Sequence, residues 1–575
     1  MKKLTILLAA CMILMAFCSC GDTAVSSVVS VPEENPAEMA SVAQEPAATP
    51  EPEVQEAEPA SAPESIEEKS PVIEVSYPLT EDPITLSFFV AAPSGPPIVE
   101  SSWADLQVFQ DCEALTNVHI DWNESSFMNI TDNFSLMVAS GDYSDLINGF
   151  NNFYSGGLSA AYTNDVIIDL ADYTETYMPN YCSYAHTEDA MRYVLNDEGN
   201  ELAVCEIGDM YDIQGGIFLR KDWLDELNMD VPTTVDEFTD VLESFKNNYG
   251  CTETLSMLKT GAFNDSSALS APFGTTAYNY GGSVTEHFYI DEDGQVTSAL
   301  VSDHYRDYLR QLHDWYNAGY FSYEALISNS ISDNESNVGS GITGAFIESA
   351  TSISTYASYA EDESFELVPV GALSLDGSDA VNTYYKAYLV STATAVSVST
   401  TCENVEIACQ WMDYWYSDDG ILAMNYGPQG VSWEYDGDGN VKYTELLTND
   451  PDWNAPTLIM KYNFKNRIFG VAIQDSNKDY YTDIQTEAVE LFRSCSSNEN
   501  YLPSNYLYLS ADELQTYSER FSDISATADT AVLQFIIGDL SLDDDWDSFQ
   551  QQLRSLGIEE CIAIYQAAYS RYLAR

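Results

Sequence analysis

The sequence Cys18-Ser19-Cys20-Gly21 is the first place where residue type and spacing point to chemistry. A cysteine set behind a small residue at the end of an apolar run is a substrate for lipid transfer to its sulfur. Cys20 follows Ser19, whereas Cys18 follows bulky Phe17, so Cys20 is the expected acylation site and mature N-terminus. An ordinary secretory cleavage nearby is the alternative. Lys2 and Lys3 supply a positive start, and Leu4 to Phe17 is an uncharged run of fourteen residues. That run is shorter than the ~20 residues a membrane-spanning helix needs, but it suffices for an export signal.

Other reactive groupings are sparse. The chain has no phosphate-binding glycine loop, no GxSxG, no HExxH and no GxGxxG after a strand. Its five histidines (His119, His186, His287, His304, His313) are scattered, and no CxxC spacing suggests zinc. The acidic turns Asp291-Glu292-Asp293-Gly294 and Asp436-Gly437-Asp438-Gly439-Asn440 invite a calcium reading. An EF-hand loop needs Gly at position 6 and Glu at position 12. Those places hold Val296 and Ser302 in the first case, Val441 and Leu447 in the second, so hairpin turns are expected. Eight cysteines follow Cys20, and their apolar contexts favour free buried thiols over a disulfide framework. The 39 Tyr, 23 Phe and 9 Trp matter more for binding, because a ring with a polar edge packs against a sugar face.

The elements that must position these groups begin after a tether. Thr23 to Ser76 contains eight Pro, twelve Glu, nine Ala and eight Ser with no aromatic residue, so it cannot bury enough apolar surface to fold. The remaining 499 residues, 77 to 575, exceed what one core usually holds and suggest two lobes. They carry 79 acidic and 18 basic residues, a net charge of −61, which excludes nucleic acid and disfavours polyanionic sugars. Ile84 to Ala92 reads as a buried strand. A helix through Trp103, Leu106, Phe109 and Cys112 follows, then the strand Val118 to Trp122, a helix over 133–139 and a strand at Leu146-Ile147. That alternation predicts an α/β lobe with a largely parallel sheet. Ile217 to Leu227 runs from strand to helix, Thr234-x-x-Glu237 is a capping box, and His304 to Tyr316 is amphipathic, with Trp223 and Trp315 on core faces. Phe365 to Val370 and Tyr388 to Val390 read as strands, Glu403 to Tyr416 as a helix, and two helices close the chain.

Several segments, in order, resemble one family. Met137-Val-Ala-Ser-Gly-Asp-Tyr-Ser-Asp-Leu-Ile147 is similar to a strand-entry segment of the large extracellular solute-binding lipoproteins of Gram-positive ABC importers, with Ser144 replacing the usual Pro. Arg220-Lys-Asp-Trp-Leu-Asp-Glu-Leu227 with Val231-Pro-Thr-Thr-Val-Asp-Glu-Phe238, and Tyr426-Gly-Pro-Gln-Gly-Val-Ser-Trp433, continue the likeness, as do Asp544 to Phe549 and Gln566 to Tyr569.

The resemblance implies a class II periplasmic-binding-protein-like fold of two α/β lobes joined by crossing hinge strands. The corresponding division is a signal peptide over 1–19, a linker over 20–76 and a first part of lobe 1 over 77–212. Lobe 2 takes 213–386, and 387–575 returns to lobe 1 and adds helices spanning both lobes. The first crossing is expected just before Arg220 and the return near 387–396. The implied function is ligand capture for an ABC permease at the outer face of the cytoplasmic membrane, by a monomer, without catalysis, cofactor or metal. The ligand is expected to be a neutral oligosaccharide; a peptide or other nutrient, or a secreted glycosidase activity, are the alternatives. Loops at the carboxyl ends of strands face the cleft in such folds. That points to Ser94, Gly95, Trp122, Glu124, Phe150, Asn151, Tyr154, Tyr211, Asp212, Glu348 and Trp433, with Trp122 and Trp433 as stacking platforms.

Overall fold

The computed structural model describes residues 75–94, 102–208, 215–257, 267–275, 288–327, 331–360, 362–378, 380, 382–383, 390–497 and 500–575. The signal peptide and nearly all of the linker lie outside them.

Two sheets organise the folded part. The larger is built from β1 (Ile84–Ala91), β2 (Val118–Ser125), β3 (Leu146–Asn148), β4 (Val204–Gly208), β11 (Val390–Val398) and β14 (Gly470–Ala472), in the order β14-β4-β11-β3-β1-β2. β1 is apolar on both faces because helices cover both sides of the sheet. It pairs in parallel with β2, setting Phe88 opposite Trp122. β14 is also parallel to β4, whereas β11 runs against both β3 and β4.

The smaller sheet contains β5 (Gly215–Arg220) between β8 (Ala345–Ser349) and β9 (Leu367–Val370). Here β5 is antiparallel to both neighbours, so this sheet is not the parallel one that simple alternation would give. The reason lies in the chain path. In each sheet the reversed strand, β5 or β11, is the one that follows a link from outside its sheet, while its neighbours run back towards that link. Residues 209–214 connect β4 to β5, and 384–389 connect β10 (Asn382–Thr383) to β11; both links lie outside the described residues. A third connection runs from β14 through Gln474–Tyr480 into the helix Asp483–Ser494, whose Val489 and Phe492 pack with Phe218 of β5.

Three pairs complete the strands. β6 (Phe288–Ile290) with β7 (Val296–Ser298), and β12 (Trp433–Tyr435) with β13 (Val441–Tyr443), are hairpins closed by the Asp291 and Asp436 turns. In both, the aspartate accepts backbone N–H groups of its own turn. β10 pairs in parallel with β15 (Ser496–Ser497).

One core lies around the larger sheet, with Phe88, Trp411 and Trp415 among its buried rings. A second joins β5, the helix Val235–Tyr249, the helix Asp303–Ala318 and the C-terminal helices. Those C-terminal helices are Ala511–Ile537, Trp546–Leu556 and Ile558–Ala574. The first, 27 residues long, was not read from the sequence; a Ser510/Glu513 capping box starts it and left-handed Gly538 ends it. The eight cysteines after Cys20 are all described and all unpaired, and Cys112, Cys205, Cys251, Cys409 and Cys561 are buried. Among the described residues no helix is long and apolar enough to cross a membrane.

Candidate functional site

The parallel strands β1 to β4 and β14 all end on one edge of the larger sheet, the edge from which the links to the smaller sheet depart. Ligands bind at that edge in open α/β sheets. Trp103 is fixed there from two sides. Its indole N–H donates to Ala91 O at the end of β1 (2.7 Å), and its backbone N–H donates to Glu124 Oε1 on β2 (2.6 Å). Ser102 Oγ donates to the same Glu124 oxygen at 2.8 Å.

Beside it, the turn after β3 is bound to β11. Asn148 Nδ2 donates to Thr394 O and Ala395 O, and Asn152 Nδ2 donates to Ala393 O at 3.1 Å. β11 can offer these carbonyls because its register with β4 shifts between Ser391 and Val396. On the other side of that irregularity sits Glu206 of β4, fully buried. Thr394 Oγ1 donates to its Oε2 (2.8 Å) and Asn466 N donates to its Oε1 (3.0 Å). Lys465, next in the chain, donates to Ile473 O, Gln474 O and Ser476 Oγ, which pins the start of the third connection. Burial pushes the Glu206 carboxyl up to about 8, and burial of Lys465 pushes its ammonium down to about 8.

These shifts have opposite consequences for stability. Glu206 prefers its proton in the fold, so its contribution is full below the ordinary carboxylate range and is lost as pH rises towards 8. Lys465 acts above that point, where stability returns as pH climbs towards its ordinary value. Between pH 5 and 8 the stability of the wild type should therefore fall more steeply than that of Glu206→Gln, by about 1 kcal/mol per pH unit. Urea unfolding of both proteins across that range measures the difference, and parallel curves would refute it.

The sequence-expected residues are distributed unevenly over this edge. Ser94 is exposed. Trp122 is half-buried, with one face stacked on Phe88 at 5.3 Å and its edge against Phe109, so that face is already taken. Glu124 serves Ser102 and Trp103 as described. Phe150 is core against Phe134, Asn151 packs beside Gly157, and the Tyr154 hydroxyl accepts from Asn164. Glu348 lies at the linking end of β8, opposite Gly216 of β5. It is buried and accepts from Tyr356 OH (2.7 Å) and Ser349 N (2.8 Å), and burial holds its carboxyl above the usual range.

Trp433 requires correction. It is 2% exposed, its indole N–H donates to Gly427 O, and it packs in a satellite core with Tyr443, Leu447 and Leu458. It braces the hairpin and offers no open ring face. Gly95, Tyr211 and Asp212 lie outside the described residues.

Sequence reasoning missed Glu206, Thr394 and the Lys465-Asn466-Arg467 turn. Two signals were present. Glu206 interrupts the apolar strand Val204-Cys205-Glu206-Ile207, and Lys461, Lys465 and Arg467 place three cations within seven residues of an otherwise acidic chain. Among the described residues no group of three or more His, Cys, Asp or Glu is placed to hold a metal ion.

A model of the bacterial extracellular solute-binding protein family matches residues 107–431, more than half the chain. The chain belongs to that family. The Arg220-Lys-Asp-Trp segment that suggested the relationship is structural in this solute-binding protein: Arg220 pairs with Asp222 and lies over the rings of Trp223 and Phe365.

Among the relatives of this solute-binding protein is the fructooligosaccharide ABC transporter substrate-binding protein FusA of Streptococcus pneumoniae serotype 4. It is 23% identical over 546 residues, covering 87% of this chain and 92% of the relative. The polygalacturonan/rhamnogalacturonan-binding protein YtcQ of Bacillus subtilis is 23% identical over 487 residues, covering 81% of this chain and 88% of the relative. The same fold occurs in an HMO-binding, ABC-transporter-associated solute-binding protein from Bifidobacterium longum infantis. That structure has a TM-score of 0.69 at 19% identity, covering 86% of this chain and 99% of the other.

Proposed function

We propose that this protein captures an oligosaccharide outside the cytoplasmic membrane and delivers it, unaltered, to the permease subunits of an ABC importer. One observation carries the reading: two sheets of a solute-binding fold turn their strand ends towards the links that join them. A ligand touching both lobes favours the closed form by its differential affinity, and the permease then receives a protein whose shape reports occupancy. The names of the relatives support a glycan ligand, and the −61 charge of residues 77 to 575 favours one that is neutral over most of its length. Lobe 1 takes residues 77–212, lobe 2 takes 213–386, and 387–575 returns to lobe 1 and adds helices spanning both lobes. The protein acts as a monomer on an acidic tether, held by lipid on Cys20; two or three acyl chains suffice for stable anchoring.

Thermal unfolding of the protein with fructo-, malto- and galacto-oligosaccharides and with short peptides tests the reading. One saccharide class should stabilise it by about 3 kcal/mol at a hundredfold excess over Kd and be recovered intact. Stabilisation by peptides alone, or cleavage of the glycan, would overturn it. Cys20→Ser should move the protein from the membrane fraction to the medium; retention on the membrane would remove the anchor from the proposal.

A further inference from the structure

The third connection forms one wall of a cavity. A volume of about 170 Å3 lies between β13 and residues 473–480. Ile473, in that wall, directly follows Ala472, the last residue of β14, so the cavity begins where the connection leaves the larger sheet. Two hydrogen bonds set its width: Tyr480 OH accepts from Tyr443 N (2.6 Å), and Tyr443 OH donates to Asn477 Oδ1 (2.5 Å). Lys465 fixes the same wall from behind through Ile473 O, Gln474 O and Ser476 Oγ. The space is thus built by bonded elements and is not a gap of loose packing.

Three rings line it. Tyr443 and Tyr480 stack at 4.5 Å with 21° between their planes, and Tyr426 meets Tyr443 at 6.1 Å and 64°. Tyr443 is buried, whereas Tyr426 and Tyr480 are only partly buried and keep some ring surface uncovered. Such rings, apolar in the face and polar at the edge, suit the C–H face of a sugar. The charges of the wall cancel, since Lys442 and Lys478 are matched in number by Asp475 and Asp479. Two of the four are also paired with residues beyond the wall, Lys442 with Glu434 and Asp475 with Arg493, each at 2.9 Å. In a chain with 92 acidic and 21 basic residues, this balanced lining attracts neither an anion nor a cation. Size sets the other limit. Pockets for drug-sized ligands start at about 300 Å3, so this one has room for one sugar ring and not for a chain of them.

We propose that this cavity binds one neutral hexose unit, packed against Tyr426 and Tyr480. The unit is a free monosaccharide or the end of the captured oligosaccharide; both present the same ring and hydroxyls. This rests on the oligosaccharide reading above for the class of ligand, and it adds a place for one unit beside the connection between the sheets.

Calorimetric titration of the full chain with glucose, fructose and galactose, and with the oligosaccharides of each, tests this. Two variants alter the cavity: Lys442→Trp fills it from β13, and Tyr480→Leu removes a ring. The Lys442–Glu434 pair is about half exposed on both sides, so Lys442→Trp should melt close to the wild type. One neutral sugar of the set should bind both variants at least tenfold more weakly than the wild type. In the wild type itself, that sugar should slow nitration of Tyr426 and Tyr480 by tetranitromethane at least threefold. If the occupant is a free monosaccharide, wild type saturated with oligosaccharide takes up a second equivalent and the variants do not. If it is the end of the oligosaccharide, saturated wild type takes up none, and the variants lose affinity for the oligosaccharide itself. Glucuronate and glucosamine should bind at least tenfold more weakly than the neutral hexose, and tighter binding of either would overturn the choice of a neutral unit. Unprotected tyrosines, or neutral sugars that bind both variants as they bind the wild type, would overturn the site and leave the oligosaccharide reading standing. If no saccharide binds the wild type, both readings fall.

Discussion

Asp197→Ala should lower the unfolding free energy by about 3 kcal/mol, close to the loss expected when one partner is taken from a buried ion pair. Asp197 sits in the turn after Leu195 and is 11% exposed. Its Oδ1 accepts from Arg575 and its Oδ2 from Arg571 at 2.8 Å. Arg571 also grips Glu513 at the start of the helix Ala511–Ile537 and donates to Tyr508 O. Arg575 is 4% exposed and packs over the Tyr508 and Tyr572 rings, so losing Asp197 strands a charge away from water. Asp197 therefore clasps the C-terminal helix to a turn built by the first part of the chain. Urea unfolding measures the effect, with Glu560→Ala as the internal reference. The Arg520–Glu560 pair is about half exposed on both sides, and breaking it should cost no more than ~1 kcal/mol. Equal losses for the two substitutions would refute the clasp.

Gly208→Ala should be at least as damaging, about 3 kcal/mol or more, for a different reason. Gly208 ends β4 with a φ of +130°, a conformation essentially reserved for glycine. A Cβ there would also stand 2.3 Å from the carbonyl oxygen of Ala472, its partner in β14. Two connections leave the larger sheet from this pair, so the substitution should both lower the melting temperature and weaken ligand binding. Gly437 in the β12–β13 turn has open space around the same atom and no strained φ. Gly437→Ala should be neutral or slightly stabilising, because it restricts only the unfolded chain. If Gly208→Ala melts with the wild type, the pairing of β4 and β14 is not what holds this end of the sheet.

Much of the fold was readable because its signals are local. The unbroken apolar run of β1, the Thr234 capping box and the helix faces of Trp223 and Trp315 all lie where their sequence patterns put them. Strand direction was not readable for β5 or β11, since it depends on where the chain re-enters each sheet and not on residue types. The helix Ala511–Ile537 escaped notice although both its caps are regular, because Ala528 and Ala531 thin out its apolar stripe. The site was legible only in outline. The edge it occupies follows from topology, but an exposed and a buried tryptophan look alike in sequence, and Trp433 became core once the segment after the hairpin folded over it. The polar groups at the edge come from β4, β11 and the turn before β14, with Glu206 188 residues from Thr394 and 260 from Asn466 along the chain, so no local motif brings them together.

The unpaired cysteines have a consequence for how such a protein matures. An exported chain with eight thiols would ordinarily risk being cross-linked in the wrong combination before it folds. Here burial raises the Cys112, Cys205 and Cys409 thiols well above their ordinary range and pushes Cys251, Cys402 and Cys561 up to about 11, which suppresses the thiolate that oxidation requires. Once folded, the protein buries five of these sulfurs. The described fold is therefore held together without sulfur bridges, and a reductant has no bond in it to break.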